Sequence, residues 1–182
     1  AITPKITFIG GVFDIRKPYF GVDSALRFTS LGDVSNRGIE LSLAGSPAKG
    51  LTLVAGAIAV NPTIKGAEVD AGRLGKRPVG TFKKRGIFNL DWRPGGTSAW
   101  SFDLALDVSS GLMGDRLNRF SAGGKTNLNL GTRYRFSIGD HKILIRGQVQ
   151  NALNDYSWRV NSGGGFTMGT PRIFYLQAVA DF

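Results

Sequence analysis

The chain has 182 residues, with 23 Lys and Arg against 13 Asp and Glu for a net charge of +10, one histidine and no cysteine. Zero cysteines exclude disulfide frameworks and thiolate metal sites, and a lone histidine excludes His-cluster metal centres and most general-base arrangements. The longest uncharged stretch, residues 50–64, spans 15 residues and carries Gly and Pro, so no transmembrane helix is expected.

Helical periodicity is nearly absent, and period-two alternation recurs over about ten residues, the mark of strands with two chemically different faces. Residues 5–16 and 38–46 open the series, the second placing Ile39, Leu41 and Leu43 against Glu40, Ser42 and Ser46. Residues 51–60 are apolar on both faces, so their register stays open. Residues 82–93 set Phe82, Phe88, Leu90 and Trp92 against Lys83, Arg85, Asn89, Asp91 and Arg93. Residues 99–109 set Trp100, Phe102, Leu104, Leu106 and Val108 against Ser101, Asp103, Asp107 and Ser109. Residues 125–138 are the clearest case, with Leu128, Leu130, Tyr134, Phe136 and Ile138 opposed to Lys125, Asn127, Asn129, Arg133, Arg135 and Ser137. Residues 142–151, with Leu144 as a misfit, and residues 172–182 bring the count to about eight.

The connections alternate in length. Residues 46–50, 94–98 and 139–141 are tight turns built from Gly, Pro, Ser and Asp, while long polar loops are expected near 17–37, 61–81, 111–124 and 153–170. Short and long connections therefore fall at opposite ends of the array, as in an up-and-down meander that spans a membrane. Aromatics near strand ends on the apolar parity match interfacial girdles. The strands also run longer than the usual soluble strand of about five or six residues. The expected fold is all-β, an antiparallel up-and-down transmembrane β-barrel.

Particular residues then carry a resemblance. Ser35-Asn36-Arg37-Gly38-Ile39-Glu40-Leu41, followed by Gly45 and the 47–50 turn, resembles the RGxE hairpin of TonB-dependent outer-membrane receptors. Val149-Gln150-Asn151-Ala152-Leu153-Asn154-Asp155-Tyr156 resembles their penultimate-strand signature, and Gly169-Thr170-Pro171-Arg172 with terminal Phe182 their closing motif. Residues 13–18 and 130–134 fit the same template in the same order. The resemblance implies about eight strands of a barrel of about 22. Residues 1–182 would be its C-terminal part, with the plug domain and TonB box outside this chain. It implies ferric siderophore uptake across the bacterial outer membrane, energised by TonB through the plug, with the chelate as transported ligand and no cofactor. The expected partners are the remaining barrel and plug, the barrel-assembly machinery and lipopolysaccharide. The alternative is a small autonomous eight-stranded outer-membrane barrel with a structural or adhesion role, in which the first and last strands pair.

Individual residues follow from these two readings. The resemblance implies ligand contacts from loop side chains, for which Tyr19, Phe20, Phe120, Trp158 and Arg159 are candidates by location, and it implies that Phe174, Leu176 and Phe182 of the last strand form the assembly signal. Arg85, Arg93, Arg133, Arg135 and Arg146 should face a lumen, and Lys76, Arg77, Lys83, Lys84 and Arg85 form a basic cluster suited to lipopolysaccharide phosphates. Asp103 and Asp107 lie about 13 Å apart along a strand, too far for a retaining carboxylate pair, and read as solvated lumen residues. His141 belongs to a turn, no Ser–His–acid constellation surrounds it, and no enzyme is expected. The Gly pairs at 10–11 and 123–124 and the run at 163–165 lack the following helix of a phosphate loop. Nucleic acid is not an expected partner, because the aromatics lie on the apolar parity instead of interleaving with the basic residues.

Overall fold

A computed structural model describes residues 5–161 and 165–181. In chain order the strands are β1 (Ile6–Val22), β2 (Phe28–Ala48), β3 (Leu51–Lys65), β4 (Lys84–Trp92), β5 (Trp100–Ser109), β6 (Leu112–Met113), β7 (Ser121–Ala122), β8 (Lys125–Ile138), β9 (His141–Gln150), β10 (Trp158–Val160), β11 (Phe166–Met168) and β12 (Ile173–Ala180). A single short helix, α1 (Ala67–Asp70), lies between β3 and β4. Eight strands form one antiparallel meander in the order β1-β2-β3-β4-β5-β8-β9-β12, and β6–β7 and β10–β11 are small hairpins inside two of the loops. Among the described residues β1 and β12 do not pair, so the sheet has two open edges.

Pairing register sorts every strand into two faces, because directly opposed residues share a side. One face runs through Phe8 and Val12, Ile39 to Leu43, Phe88 to Trp92, Trp100 to Val108, Leu128 to Phe136, Ile143 to Val149, and Phe174 with Leu176. Val12 is 84% exposed, Leu176 82% and Phe174 71%, which water would not tolerate across a contiguous sheet and hydrocarbon would. The register left open for residues 51–60 is decided by pairing: Leu51, Leu53, Ala55, Ala57 and Ala59 join this outer face. Those five alternate positions cover about 26 Å of strand at ~3.3 Å per residue, the height of an outer-membrane apolar band. At the short-turn end Trp92, Phe102, Trp100, Tyr134 and Phe136 form a row with successive ring centroids 4.6–6.4 Å apart.

The opposite, inner face is ion-paired on β4 to β9. Arg85 donates to both carboxylate oxygens of Asp107 at 3.0 and 2.9 Å, with Lys125 at 3.5 Å from the same group. Arg133 pairs with Asp91 and lies 3.3 Å from Asp103, which Arg146 also approaches at 3.8 Å. Asp103 and Asp107 are therefore salt-bridge acceptors and not merely solvated. Arg135 donates to Ser101 Oγ at 2.9 Å. Arg93 departs from the expected lumen position: it clamps the β4–β5 turn, donating through Nε to the Ser98 carbonyl at 2.7 Å. On β1 to β3 the inner face is mostly apolar instead, with Ile9, Val54 and Ile58, joined by Ile87 of β4, around Glu40. Alternation alone obscured this, since β3 is apolar on both sides.

Two expectations change. The loop expected at 17–37 is mostly strand: β1 and β2 stay paired up to Val22↔Phe28, leaving only residues 23–27 as the connection. A bulge at Pro18, which has no N–H to donate, interrupts the ladder without ending it. The 76–85 basic cluster is also dispersed. Arg85 faces inward on Asp107, Arg77 joins a loop–loop contact through its backbone, and Lys84 sits opposite Ala59 on the outer face.

Candidate functional site

The functional end of the molecule is built where the long connections meet. Its floor is a small core of Leu31, Val34, Ile64 and Leu74, each at most 3% exposed, with Tyr19 and Val69 packed against it. The loop 66–83 reaches this core because Gly32 and Gly66 lie back to back. Their φ angles are 143° and 147°, and a Cβ added to Gly66 would lie 2.8 Å from Gly32 Cα. After the single turn of α1, Arg73 folds back onto Glu68 through Nε and Nη2 at 2.9 and 2.6 Å.

The loop 110–124 is shaped by Asp115. Its carboxylate accepts the Arg119 and Phe120 N–H groups at 2.7 and 2.8 Å and the Arg119 guanidinium at 3.2 Å. Asn118, at φ 59°, exchanges two hydrogen bonds with the Arg77 backbone at 2.8 and 2.9 Å and so welds this loop to the one before it. Gly75 and Gly80 donate to the carbonyls of Arg116 and Met113. Arg116 Nη1 reaches the Val22 carbonyl at 2.9 Å, tying in the tip of the β1–β2 hairpin.

These contacts enclose a cleft of about 630 Å³, lined among others by Tyr19, Phe20, Arg73, Asp115, Arg116 and Arg119. Two of its guanidiniums are neutralised by carboxylates, Arg73 by Glu68 and Arg119 by Asp115. Arg116 has no carboxylate in ion-pair contact among the described residues. The hydrogen bond from Arg73 holds the Glu68 carboxyl below its ordinary range. The Phe120 N–H does the same for Asp115, and the Arg27 N–H for Asp23 at the hairpin tip. The cleft thus combines exposed aromatic surface with three guanidiniums and the three carboxylates of Asp23, Glu68 and Asp115, a setting for a polar organic ligand.

The expected contacts divide. Tyr19 is half-buried against the floor, whereas Phe20 is exposed and stacks on Phe28 at 5.9 Å; Tyr19 and Phe20 both line the cleft. Phe120 is exposed beside Arg119, whose guanidinium lies 5.7 Å from the ring. Trp158 meets Phe166 edge-on at 6.4 Å, and that ring lies across Gly114, bringing the β10–β11 hairpin onto the loop 110–124. Arg159 lies apart, donating to Thr170 Oγ1 at 3.3 Å beside a polar cavity of about 190 Å³ that also contains Lys125, Asn129 and Asn151. Arg73, Glu68, Arg116 and Arg119 were not expected. The local signal was the spacing Asp115, Arg119, Phe120, a carboxylate capping a turn four and five residues on. Phe174 and Leu176 sit on the outer face opposite Val149 and Gly147, and Phe182 lies outside the described residues.

The Asn-rich signature is a structural knot. Asn151, 6% exposed, donates through Nδ2 to the carbonyls of Asp155 and Thr170 at 3.1 and 2.9 Å. Its own N–H goes to Asn129 Oδ1, and its Oδ1 accepts the Asp155 N–H. Asp155 Oδ2 accepts the Thr126 N–H at 2.6 Å and Asn154 Oδ1 the Arg172 N–H at 3.1 Å. Asn151 and Asn154 both have positive φ, 48° and 54°, where Asn is tolerated. This motif carries the chain from β9 over β8 into β12.

A two-faced antiparallel meander with short turns at one end and interlocked loops at the other is the architecture of one sector of a large β-barrel wall. The ferrichrome receptor FcuA of Yersinia enterocolitica is 27% identical over 174 residues, 94% of this chain and 23% of that protein. The ferric preacinetobactin receptor BauA of Acinetobacter baumannii superimposes with a TM-score of 0.78 at 24% identity, covering 97% of this chain and 27% of the receptor. The ferripyoverdine receptor of the Pseudomonas aeruginosa outer membrane gives 0.73 at 13%, covering 97% and 25%. No family model matches the chain. The chain has the fold of a sector of such a barrel and spans about a quarter of the length of the relatives it matches.

Proposed function

We propose that residues 1–182 are the C-terminal part of the β-barrel of a TonB-dependent receptor that imports a ferric siderophore across the bacterial outer membrane. The observation that carries this reading is the two-sided sheet: an apolar outer band, an inner face ion-paired on β4 to β9, and a loop cleft gathered at one end. The likeness to receptors for ferrichrome, ferric preacinetobactin and ferripyoverdine supports the ligand class. In this reading the remaining strands, the plug and the TonB box belong to the rest of the protein. Inner-face residues Ile9, 62% exposed, Val54, 41%, and Ile87, 38%, support a lumen filled by a plug that covers them. The cleft with Phe20 and Arg116 receives the chelate, and TonB acting through the plug opens the path past the wall. The chelate crosses unaltered, so no catalytic residue and no cofactor are assigned. Phe174, Leu176 and Phe182 present the closing strand to the barrel-assembly machinery.

A free-standing eight-stranded barrel would need β12 hydrogen-bonded to β1. The two open edges favour the larger barrel, since an unpaired edge in lipid is costly. The test uses the full-length receptor and a panel of ferric hydroxamates, catecholates and carboxylates labelled with radioactive iron. One chelate should be taken up only when both receptor and TonB are present. Replacing Phe20 and Arg116 by Ala should weaken its binding about tenfold or more. A full-length protein soluble without detergent, or uptake indifferent to TonB, overturns the reading.

A further inference from the structure

The two long loops that supply polar walls to the ligand cleft meet through one side chain. Glu68 and Arg73 come from loop 66–83 and Arg116 and Arg119 from loop 110–124, with Asn118 between the last two. Asp115 shapes its loop from within, whereas the Asn118 carboxamide reaches out of it to a single residue of the other loop. Its Oδ1 accepts the Arg77 N–H at 2.8 Å and its Nδ2 donates to the Arg77 carbonyl at 2.9 Å. An antiparallel strand partner would offer the same two-way exchange, but backbone at φ 59° does not extend alongside another strand. Among side chains, a carboxamide places a donor and an acceptor side by side and can take that role. Room for it is made on the opposite loop, where a Cβ on Gly75 would overlap the Asn118 carboxamide. Main-chain bonds flank the exchange, from Gly75 to the Arg116 carbonyl at 2.7 Å and from Gly80 to the Met113 carbonyl at 2.9 Å. Both start at glycines, whose conformational freedom lets the segments pivot, so fixing the angle between the loops falls to Asn118.

We infer that Asn118 is a positioning residue for ligand capture. It holds Arg116 and Arg119 in fixed relation to Glu68 and Arg73, so that the cleft is assembled before the ligand enters. A receptor whose cleft is assembled only part of the time binds with an affinity reduced by that fraction, and a ligand that must order the loops itself loses affinity to the ordering. Resting on the transport reading above, this role falls to a residue outside the cleft lining itself. It acts through its neighbours on either side, and neither of those makes the contact to Arg77.

The test uses the full-length receptor, with hydrogen exchange read by mass spectrometry and uptake read with the radiolabelled panel of ferric hydroxamates, catecholates and carboxylates. Asn118→Gly keeps the backbone conformation and removes the carboxamide. It should raise exchange in both 73–80 and 113–120 while β8 and β9 keep parental protection. For the chelate that the parent imports, it should raise the half-saturating concentration about tenfold and leave the maximal uptake rate unchanged, as for a cleft assembled in about one molecule in ten. Gly75→Cys/Asn118→Cys replaces the hydrogen bonds by a covalent link between two positions that abut, and this chain contributes no other cysteine. Oxidised, the pair should return exchange and half-saturation toward parental values; reduced, it should behave like Asn118→Gly. A rise in exchange confined to 113–120 overturns the coupling of the loops. A parental half-saturating concentration in Asn118→Gly overturns the positioning role, and so does a cysteine pair whose oxidised and reduced forms take up chelate alike. Uptake by no form, the parent included, counts against the transport reading, while the exchange measurement still decides the coupling.

Discussion

Asn151 and Gly38 show what single positions do in this wall. The Asn151 side chain satisfies three backbone groups, the N–H and carbonyl of Asp155 and the carbonyl of Thr170, while the residue holds a positive φ. Asn151→Ala should therefore destabilise the full receptor by about 2–3 kcal/mol, read from urea unfolding in detergent. Asn151→Gly separates the two contributions: it keeps the backbone geometry, so stability restored to the parental value would assign the effect to φ alone, whereas a loss like that of Ala assigns it to the side chain. Gly38 has a different reason to be small. A Cβ there would lie 2.7 Å from the Phe13 ring, which covers it on the inner face, while neighbouring Arg37 turns outward to Asp14. Both motifs were legible in the sequence as residue patterns. Their reasons were not, because each depends on a partner strand brought alongside by pairing.

At the level of elements, the loops behave as one platform. Asp23, Glu68 and Asp115 each shape a loop, and each has its carboxyl held below the ordinary value by hydrogen bonds. Folding lowers these pKa values, so the folded loops bind fewer protons than the unfolded ones. Their contribution is complete above the ordinary carboxylate range near about pH 4 and is lost as the pH falls through and below it. Limited proteolysis of the full receptor should show loops 66–83 and 110–124 protected at neutral pH and increasingly cut by an acid-active protease as the pH drops below about 4, with Asp115→Asn shifting that onset to higher pH. An onset unchanged by Asp115→Asn would remove Asp115 from this role. Strand existence and parity were readable along β4, β5, β8 and β9, where one face is polar and the other apolar. The β1–β2 hairpin was shortened in that reading, because beyond the band its outer face turns polar and looks like loop; only the ladder to Val22↔Phe28 shows that it continues.

For the whole molecule, the two open edges set the strongest expectation. If the chain is a sector of a larger barrel, as proposed, then expressed alone the 182 residues should fail to give the heat-modifiable monomer typical of a closed barrel and should associate through β1 and β12, as followed by unheated gel electrophoresis and light scattering. A heat-modifiable, protease-resistant monomer would instead favour the autonomous barrel. The net charge of +10 also takes on location at this scale: part of it pairs with Asp91, Asp103 and Asp107 on the inner wall, and part stands above the apolar band outside. Alternation and turn chemistry by themselves determined the strand count, the meander and the two-faced wall, because those follow from a period of two and from Gly- and Pro-rich breaks. Only the tertiary structure decided the register of β3, the open edges, and the joining of three loops over one cleft. Those depend on which residues become neighbours across strands, and a local pattern carries no record of that.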